Sequence, residues 1–231
     1  MPQDLLLGWE FDGPGPGDYF VAQTRGRDVA GVAAQPPGVP TAWNTYVSVA
    51  SVERAVEAAS GAGGQVVTAP FDALPAGRVA VIADLSGAAL GLWEPHDRTG
   101  AQLVNAPSAW AMSMLQTRDP DGCEAFYREV FGWESEAFGP PGVKLLRLPG
   151  YVGGEPQQPV PRDVVAVMAP ADGESHWSVG FWVDSADAVA EKATQLGGSV
   201  VAPPNDDFGM RQAVVSDPDG AVFSVTTAAG H

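Results

Sequence analysis

The chain contains little cysteine and few basic residues, and each shortage excludes something. Cys123 is the one cysteine among 231 residues, so no disulfide can form within the chain. A chain without disulfides suits a reducing compartment, and we expect a cytoplasmic protein. Only 12 Lys and Arg stand against 28 Asp and Glu, and the net charge of −16 argues against nucleic acid as a partner.

Long apolar stretches are lacking as well. No run approaches the roughly 18 apolar residues that a membrane-spanning helix needs. The first residues do not carry the basic region and apolar run that mark a secretory signal. An acidic surface is also repelled by anionic lipid headgroups, so we expect no membrane partner. The apolar fraction of 45% is nevertheless ordinary for a globular protein with a core.

Histidine is the third scarce residue, with three copies at His96, His176 and His231. His176 borders a predicted strand, whereas His96 lies in a predicted linker and His231 ends the chain. Cys123 has no histidine near it in sequence, and this argues against a thiol nucleophile. His176 is therefore the candidate for acid–base chemistry.

The clearest local pattern is a helix over residues 119–131. Asp119 is placed to cap its N-terminus, and Pro120 fits the first helical position, where a missing N–H costs nothing. Apolar side chains recur at one-turn spacing, and Gly132 is placed to end the helix with positive φ. Similar patterns predict helices over 52–60 and 185–196, strands over 19–24, 29–34, 45–49, 65–68, 78–83, 88–93, 111–117, 143–148, 163–168, 177–183 and 199–202, and a hairpin over 212–226.

Matching segments indicate an internal repeat. Gly8-Trp9-Glu10 recurs as Gly132-Trp133-Glu134, Gly63-Gly64 recurs as Gly197-Gly198, and the turn 84–87 matches 217–220. Repeats of this kind indicate a duplicated module. We predict an N-terminal module over 1–95, a linker over 96–108 and a C-terminal module over 109–231. A strand and a helix precede Gly-Trp-Glu in the second copy, and we expect the first copy to lack both.

These patterns together resemble a known superfamily. The segments that carry the resemblance are Arg118-Asp-Pro-Asp121, Phe126-Tyr127, Val130-Phe-Gly-Trp-Glu134, Gly-Gly-x-Val at 197–200 and Asp-Pro-x-Gly at 217–220. They are similar to those of the glyoxalase/bleomycin-resistance/extradiol-dioxygenase proteins, also called vicinal oxygen chelate proteins, and especially of tandem-module members from actinobacteria. The resemblance implies an α+β fold in which tandem βαβββ units form two cup-shaped, partly open mixed β-sheets with helices outside. This scaffold hosts many chemistries, so the resemblance does not specify one.

The resemblance also implies where a metal would bind. In metal-dependent members the ligands lie on the first strand of each unit and on the last strand of the second, and they are typically His, His or Gln, and Glu. By position they fall on Met112, Ser178 and Ser224 in the C-terminal module, and on Asn44 and Gly91 in the N-terminal module. Thioethers and neutral hydroxyls are poor ligands for hard or borderline divalent metals. We therefore predict no metal and no other cofactor.

Alternation along the strands predicts which side chains line the C-terminal cup. They are Met112, Met114 and Gln116 on the first strand, His176, Ser178, Gly180 and Trp182 on the first strand of the next unit, and Val222, Ser224 and Thr226 on the last strand. Met168 and Phe208 are expected to cover the opening. Such a lining is soft, aromatic and sparsely polar, as small-molecule pockets usually are. The alternative is that these side chains fill a closed core.

Two classes of function follow from this lining, and a third from the resemblance. The first is a metal-independent protein that binds a small, planar, mostly apolar molecule, for sequestration, resistance or natural-product handling. The second is a cofactor-free lyase, isomerase or cyclase that uses His176 as acid–base and Gln116 or Ser224 as hydrogen-bond donor. The third is a metal-dependent lyase or dioxygenase, against which the replaced ligands argue.

The expected absence of a first strand predicts a homodimer. It would leave the strand 45–49 with an unpaired edge, which proteins rarely leave bare. The absent helix would also leave Trp9 and Phe11 partly exposed. The start of the gene could lie upstream, the first module could be loose, or a second chain could cover the gap. We expect the last, as a symmetric homodimer.

Overall fold

The structure is a computed structural model that describes residues 6–35, 38–154, 161–207 and 209–228. The helices that lie wholly within these ranges are α1 (Val52–Gly61), α2 (Pro120–Phe131) and α3 (Ala186–Gln195). Strands make up most of the remaining regular structure and form three sheets. The α+β class predicted from the sequence is confirmed.

Residues before position 96 form two small sheets. The first has the order β1-β2-β3, from β1 (Glu10–Gly15), β2 (Tyr19–Thr24) and β3 (Arg27–Val32). The second has the order β4-β7-β6-β5, from β4 (Tyr46–Ser48), β5 (Gln65–Ala73), β6 (Gly77–Ala83) and β7 (Ala89–Pro95). Within the described residues β4 pairs with β7 alone, so the predicted free edge of this strand is confirmed.

Residues after position 109 form one mixed sheet of eight strands. Its order is β13-β14-β15-β12-β8-β11-β10-β9. One βαβββ unit consists of β8 (Trp110–Thr117), α2, β9 (Glu134–Ala137), β10 (Lys144–Arg147) and β11 (Val164–Pro170). The other consists of β12 (His176–Trp182), α3, β13 (Ser199–Asp207), β14 (Met210–Ser216) and β15 (Val222–Ala228). The antiparallel pairing of β8 with β12 joins the two units at the middle of the sheet.

The helices begin and end where the sequence predicted. The Asp119 carboxylate accepts a hydrogen bond from the backbone N–H of Gly122 at 3.0 Å, and Pro120 occupies the first helical position of α2. Gly132 ends α2 with φ 70°, a conformation that glycine adopts without strain. Ser51 and Ser185 cap α1 and α3 in the same way.

Both hydrophobic cores draw residues from both sides of the segment 96–109. In the first core the Trp9 ring lies 5.4 Å from Phe181, and Trp43 lies 5.1 Å from the same ring. Trp9 is 4% exposed, so the expectation that it would be partly exposed is wrong, whereas Phe11 is half-buried. The C-terminal sheet covers the apolar surface that the absent helix was expected to leave exposed.

The second core joins α1 to α2. It contains apolar residues of β6 and β7 together with Phe126, Tyr127 and Trp177 from the C-terminal half. The approach is close at Gly64, where a Cβ atom would lie 2.8 Å from the Phe126 ring. Each sheet is therefore built from one side of the segment 96–109, but neither half buries its apolar surface alone. The predicted division into modules 1–95 and 109–231 stays a prediction. None of the helices in the described ranges is long and apolar enough to cross a membrane.

Candidate functional site

The candidate site is the face of the eight-stranded sheet opposite α2 and α3, called here the helix-free face. Along β8, the residues 111, 113, 115 and 117 are buried on the opposite face of the sheet. Met112, Met114 and Gln116 alternate with them and are half-buried on the helix-free face. The two buried cores contain none of these three side chains. This surface of the described residues is therefore accessible to solvent, unlike a closed core.

The strand register brings the predicted residues into two rows across the sheet. One row joins β12, β8, β11, β10 and β9, and it consists of Ser178, Met114, Val167, Leu145 and Glu136. The neighbouring row joins β8, β12, β15, β14 and β13, and it consists of Met112, Gly180, Ser224, Val214 and Ala202. Thioether, aliphatic and hydroxyl groups thus meet at the middle of the helix-free face. The one charged side chain in the two rows is Glu136, which lies at the end of its row.

The three family-type metal positions lie together on this face, but their side chains do not fit a metal. Met112 and Ser224 flank Gly180, and Ser178 lies one row away, with its hydroxyl 3.4 Å from the Met114 carbonyl oxygen. One thioether and two neutral hydroxyls form a poor donor set for a divalent ion. Across the described ranges, no group of three or more His, Cys, Asp and Glu side chains is placed to hold a metal.

Two polar groups on the helix-free face are available to a ligand. Within the described part of the chain, the Gln116 amide and the Ser224 hydroxyl have no hydrogen-bond partner. A Cβ atom on Gly180 would lie 2.5 Å from the Ser224 hydroxyl oxygen, so glycine leaves that hydroxyl room between the strands. Both groups can therefore donate to or accept from a bound molecule without losing an internal hydrogen bond.

Trp182 lies at one end of the face and is buried, so it offers little surface to a ligand. It is 5% exposed, and its indole N–H donates to the Asn105 side-chain oxygen at 3.3 Å. Its backbone also bonds to Ser108 and Ala109, in the segment that precedes β8. Thr226 pairs with Trp182 across β15 and is half-buried beside it. Only a ligand that reaches this end of the face would contact the indole.

Met168 does not cover the opening, so that expectation is wrong. It pairs with Leu115, is 0% exposed and belongs to the core under α2. The pairing of β11 with β8 explains the error. Val167 pairs with Met114, so Val167 and not Met168 lies on the helix-free face. Val167 and Leu145 were missed in the sequence, although their alternation along β10 and β11 would have revealed them. Phe208 lies outside the described residues.

His176 lies exposed at the end of the face, directly across from Gln116. Its Nδ1 is 2.9 Å from the backbone oxygen of Glu174. A carbonyl oxygen only accepts hydrogen bonds, so Nδ1 carries the hydrogen and Nε2 of the neutral ring carries a lone pair. Nε2 can therefore accept a hydrogen bond or a proton from a molecule beside Gln116.

A different surface of the described residues holds a groove of about 530 Å³. It lies between α3 and β13 on the helix side of the sheet, and it is lined by residues such as Ala190, Val200, Pro203 and Pro204. Its polar side chains already have internal partners. Asp187 pairs with Arg211 at 2.7 Å, the Gln195 amide donates to Glu191 at 3.2 Å, and the Thr194 hydroxyl donates to the Ala190 carbonyl oxygen at 3.4 Å. The helix-free face, which combines adaptable apolar side chains with unpaired polar groups, is the better candidate for a binding site.

The sequence matches the family described as a glyoxalase-like domain over residues 96–226. It is 39% identical over 233 residues to CFP32 of Mycobacterium tuberculosis, a protein with the provisional name of a glyoxylase, covering 95% of this chain and 85% of that one. It is 31% identical over 238 residues to the anthracycline biosynthesis protein DauV of Streptomyces sp. strain C5, covering 95% of this chain and 84% of that one.

Solved structures share the fold at low sequence identity. The Mn(II)-bound glyoxalase from Novosphingobium aromaticivorans superposes with a TM-score of 0.61 at 15% identity, covering 97% of this chain and 75% of that one. The 2,3-dioxygenase LapB from Pseudomonas sp. KL28 gives a TM-score of 0.61 at 12% identity, covering 97% and 85%. With the family match and the identity to CFP32, the architecture leads to one conclusion: the chain belongs to the glyoxalase-like domain family, within the glyoxalase/bleomycin-resistance/extradiol-dioxygenase superfamily.

Proposed function

We propose that this protein binds a small, planar, mostly apolar molecule on the helix-free face, without a metal ion. The observation that carries the proposal is the central pair Met112 and Met114, half-buried, beside the hydroxyls of Ser178 and Ser224. Methionine adapts its shape to flat ligands, and a few polar groups then fix their orientation. The uncharged middle of the face favours a neutral ring system.

The names of two relatives support a natural product as the ligand. DauV, and DnrV of Streptomyces peucetius at 30% identity over 240 residues, are named as anthracycline biosynthesis proteins. Anthracyclines contain a planar fused-ring system, which matches the shape and polarity that the helix-free face would accept. The chemical class that we propose is therefore a polycyclic aromatic natural product, bound for sequestration, resistance or handling during its synthesis.

A cofactor-free enzyme is the second candidate, because the tautomer of His176 favours it. The Nε2 lone pair can take a proton from a bound phenol or an activated C–H group, and the Gln116 amide opposite can donate to a neighbouring carbonyl. Such a pair would suit a lyase, isomerase or cyclase. Both candidates require the same ligand at the same face, so binding is tested first.

A titration with an anthracycline tests the proposed binding. We expect a saturable change in the absorption of the probe with wild-type protein, and a loss of at least tenfold in affinity for Met114→Lys, because a buried charge would enter the apolar contact. Val67→Lys is the control, since Val67 is 58% exposed on the distant strand β5. Equal affinity of wild type and Met114→Lys, with both folded by circular dichroism, would remove the helix-free face as the site.

The free edge of β4 supports the further proposal of a symmetric homodimer. Its backbone N–H and C=O groups on that edge have no strand partner among the described residues, and such edges attract pairing. Light scattering at micromolar concentration should give twice the mass of the chain. Thr45 and Val49 bond to β7, so the N–H of Ser48 points to the free edge, and a proline at Ser48 should shift the mass towards that of one chain. A single-chain mass for the wild type at all concentrations would refute the dimer.

A further inference from the structure

A pair of exposed tyrosines belongs to the N-terminal half, far in sequence from the helix-free face of the large sheet. Tyr19 begins β2 and is 43% exposed, and Tyr46 begins β4 and is 52% exposed. They belong to two sheets that share no strand pairing in the described residues. Their rings are therefore accessible to a bound molecule.

Each tyrosine lies against a glycine that makes room for it. A Cβ atom on Gly91 would lie 2.2 Å from Cδ1 of the Tyr46 ring, so one side of the ring lies against the backbone of β7. A Cβ atom on Gly31 would lie 1.6 Å from the Tyr19 hydroxyl oxygen, so this hydroxyl rests on β3. Any side chain at either glycine would displace the tyrosine. Both phenols are therefore held in place by the shape of the backbone.

A fixed guanidinium group completes the set. Arg98 Nη1 donates to Asp28 Oδ2 at 3.1 Å, while Asp28 Oδ1 accepts from the Gln23 amide at 2.7 Å. The backbone of Asp28 is bonded to Gln102 as well, which fixes the carboxylate in turn. Arg98 uses one of its five N–H donors in this pair, and its side chain is 40% exposed.

Arg98 links the strands that the two tyrosines touch. Its guanidinium bonds to Asp28 on β3, against which the Tyr19 hydroxyl lies, and its carbonyl oxygen accepts from Trp93 on β7, against which Tyr46 lies. Burial, and then the neighbouring Tyr46, raises the pKa of Tyr19, whereas the charge of Arg98 lowers it in part. Burial raises the pKa of Tyr46 also. Both phenols stay protonated at neutral pH and can donate hydrogen bonds. The carboxylate of Asp28 offsets the charge of Arg98, so the cluster favours neutral acceptors.

Buried apolar side chains that belong to neither hydrophobic core lie on the same faces of the two small sheets. Val21 is 5% exposed and pairs with Gly31, and Val79 is 8% exposed and pairs with Trp93. Neither valine is part of the cores beneath the helices. The Trp93 indole N–H is satisfied by the Arg98 carbonyl at 2.9 Å, which ties the aromatic ring to the guanidinium segment.

We propose that Tyr19, Tyr46 and Arg98 form a second small-molecule site, which takes a planar aromatic compound with carbonyl acceptors on its edge, such as a quinone. The Tyr46 ring offers its flat face for stacking, and the phenols and guanidinium donate to the carbonyl oxygens. This site is independent of the proposed helix-free face, and either could exist without the other.

Two probes of equal shape test the site, namely 2-methyl-1,4-naphthoquinone and 2-methylnaphthalene, which lacks the two oxygens. Equilibrium dialysis with the full chain should show the quinone bound at least roughly tenfold more tightly, because only it satisfies the donors. Tyr46→Ala should weaken quinone binding about tenfold through lost stacking, and Tyr19→Phe should weaken the quinone but leave the hydrocarbon unchanged. Tyr151→Ala, at an exposed tyrosine of the C-terminal half, is the control and should bind like wild type.

Two outcomes would overturn the proposal. The first is quinone affinity within twofold of wild type for both Tyr46→Ala and Tyr19→Phe, in variants that remain folded by circular dichroism. The second is loss of quinone binding in Met114→Lys but not in Tyr46→Ala, which would assign the quinone to the helix-free face. Conversely, quinone binding that Tyr46→Ala weakens and Met114→Lys preserves would support the second site even if the anthracycline titration failed.

Discussion

The Asp84 carboxylate accepts a hydrogen bond from the Tyr127 hydroxyl at 2.7 Å and so joins the two halves of the chain. The other oxygen of Asp84 accepts from Ser86 and Ala88 in its own turn, and the Tyr127 oxygen accepts from the Trp177 indole at 3.0 Å. Asp84 and Tyr127 are both buried. A buried carboxylate needs each of these donors in place of water, so breaking the Asp84–Tyr127 contact should lower the free energy of unfolding.

Tyr127→Phe should destabilise the protein by about 1.5–3 kcal/mol, the range for a hydrogen bond to a charged group. The substitution keeps the ring stacked on Trp133, at a centroid distance of 5.3 Å, and removes only the hydroxyl. Urea unfolding measures the loss, with Tyr151→Phe as the exposed control. A loss below about 0.5 kcal/mol would show that the Asp84 contact contributes little.

The same contact predicts a loss of stability in alkali. Burial, and then the charge of Asp84, raises the pKa of Tyr127 well above its ordinary value. Below pH 10 the phenol is neutral in both the folded and unfolded states, so this group causes no pH dependence. Above pH 10 the unfolded chain releases the proton and the folded chain keeps it, so the free energy of unfolding falls. Urea unfolding between pH 8 and 11 should show a steeper decline for wild type than for Tyr127→Phe, and parallel declines would contradict the argument.

His176→Ala separates catalysis from binding. If the protein converts its ligand, turnover should fall roughly 10²-fold or more while affinity changes little, as expected for the loss of a general base. His96→Ala is the matched control, because His96 lies in the segment between the sheets. Product formation is followed by mass spectrometry after incubation with the bound compound. Unchanged turnover in His176→Ala would exclude this residue from the mechanism, and no product from wild type would leave the protein as a binder.

Removal of divalent metals should leave the protein unchanged. Met112, Ser178 and Ser224 supply no anionic or imidazole ligand at the family-type metal positions. Elemental analysis should find well under one divalent ion per chain, and added Mn²⁺ or Zn²⁺ should not raise the melting temperature, as it would if an ion bound the folded state. One ion per chain that is lost in Ser178→Ala and Ser224→Ala would contradict this prediction.

Local patterns predicted the regular elements well, because their causes are local. The capping group of Asp119, the proline at position 120 and the glycine at 132 define α2 without reference to the rest of the chain. The alternation of β8 likewise assigned Met112 and Met114 to the correct face. Strand β1 was missed, since its Gly and Pro residues suggest a turn and only pairing with β2 makes it a strand.

Features that depend on long-range packing were not predictable. The burial of Trp9 comes from Phe181, which lies far along the chain, and no local pattern contains that information. The position of Met168 depended on the register of β11 against β8, and a strand's phase is set by its neighbours as much as by its own sequence. The Asp84–Tyr127 contact likewise joins residues 43 positions apart.

The sharing of both cores between the two halves has a consequence for how the chain unfolds. Phe181 loses the cover of Trp9 and Trp43 if residues 6–95 detach, and α1 loses Phe126 if the C-terminal sheet detaches. Each half would then expose aromatic surface whose burial stabilises the other by roughly 25 cal/mol per Å². Unfolding should therefore be a single cooperative transition, and a backbone cut within 96–109 should leave two fragments that remain associated.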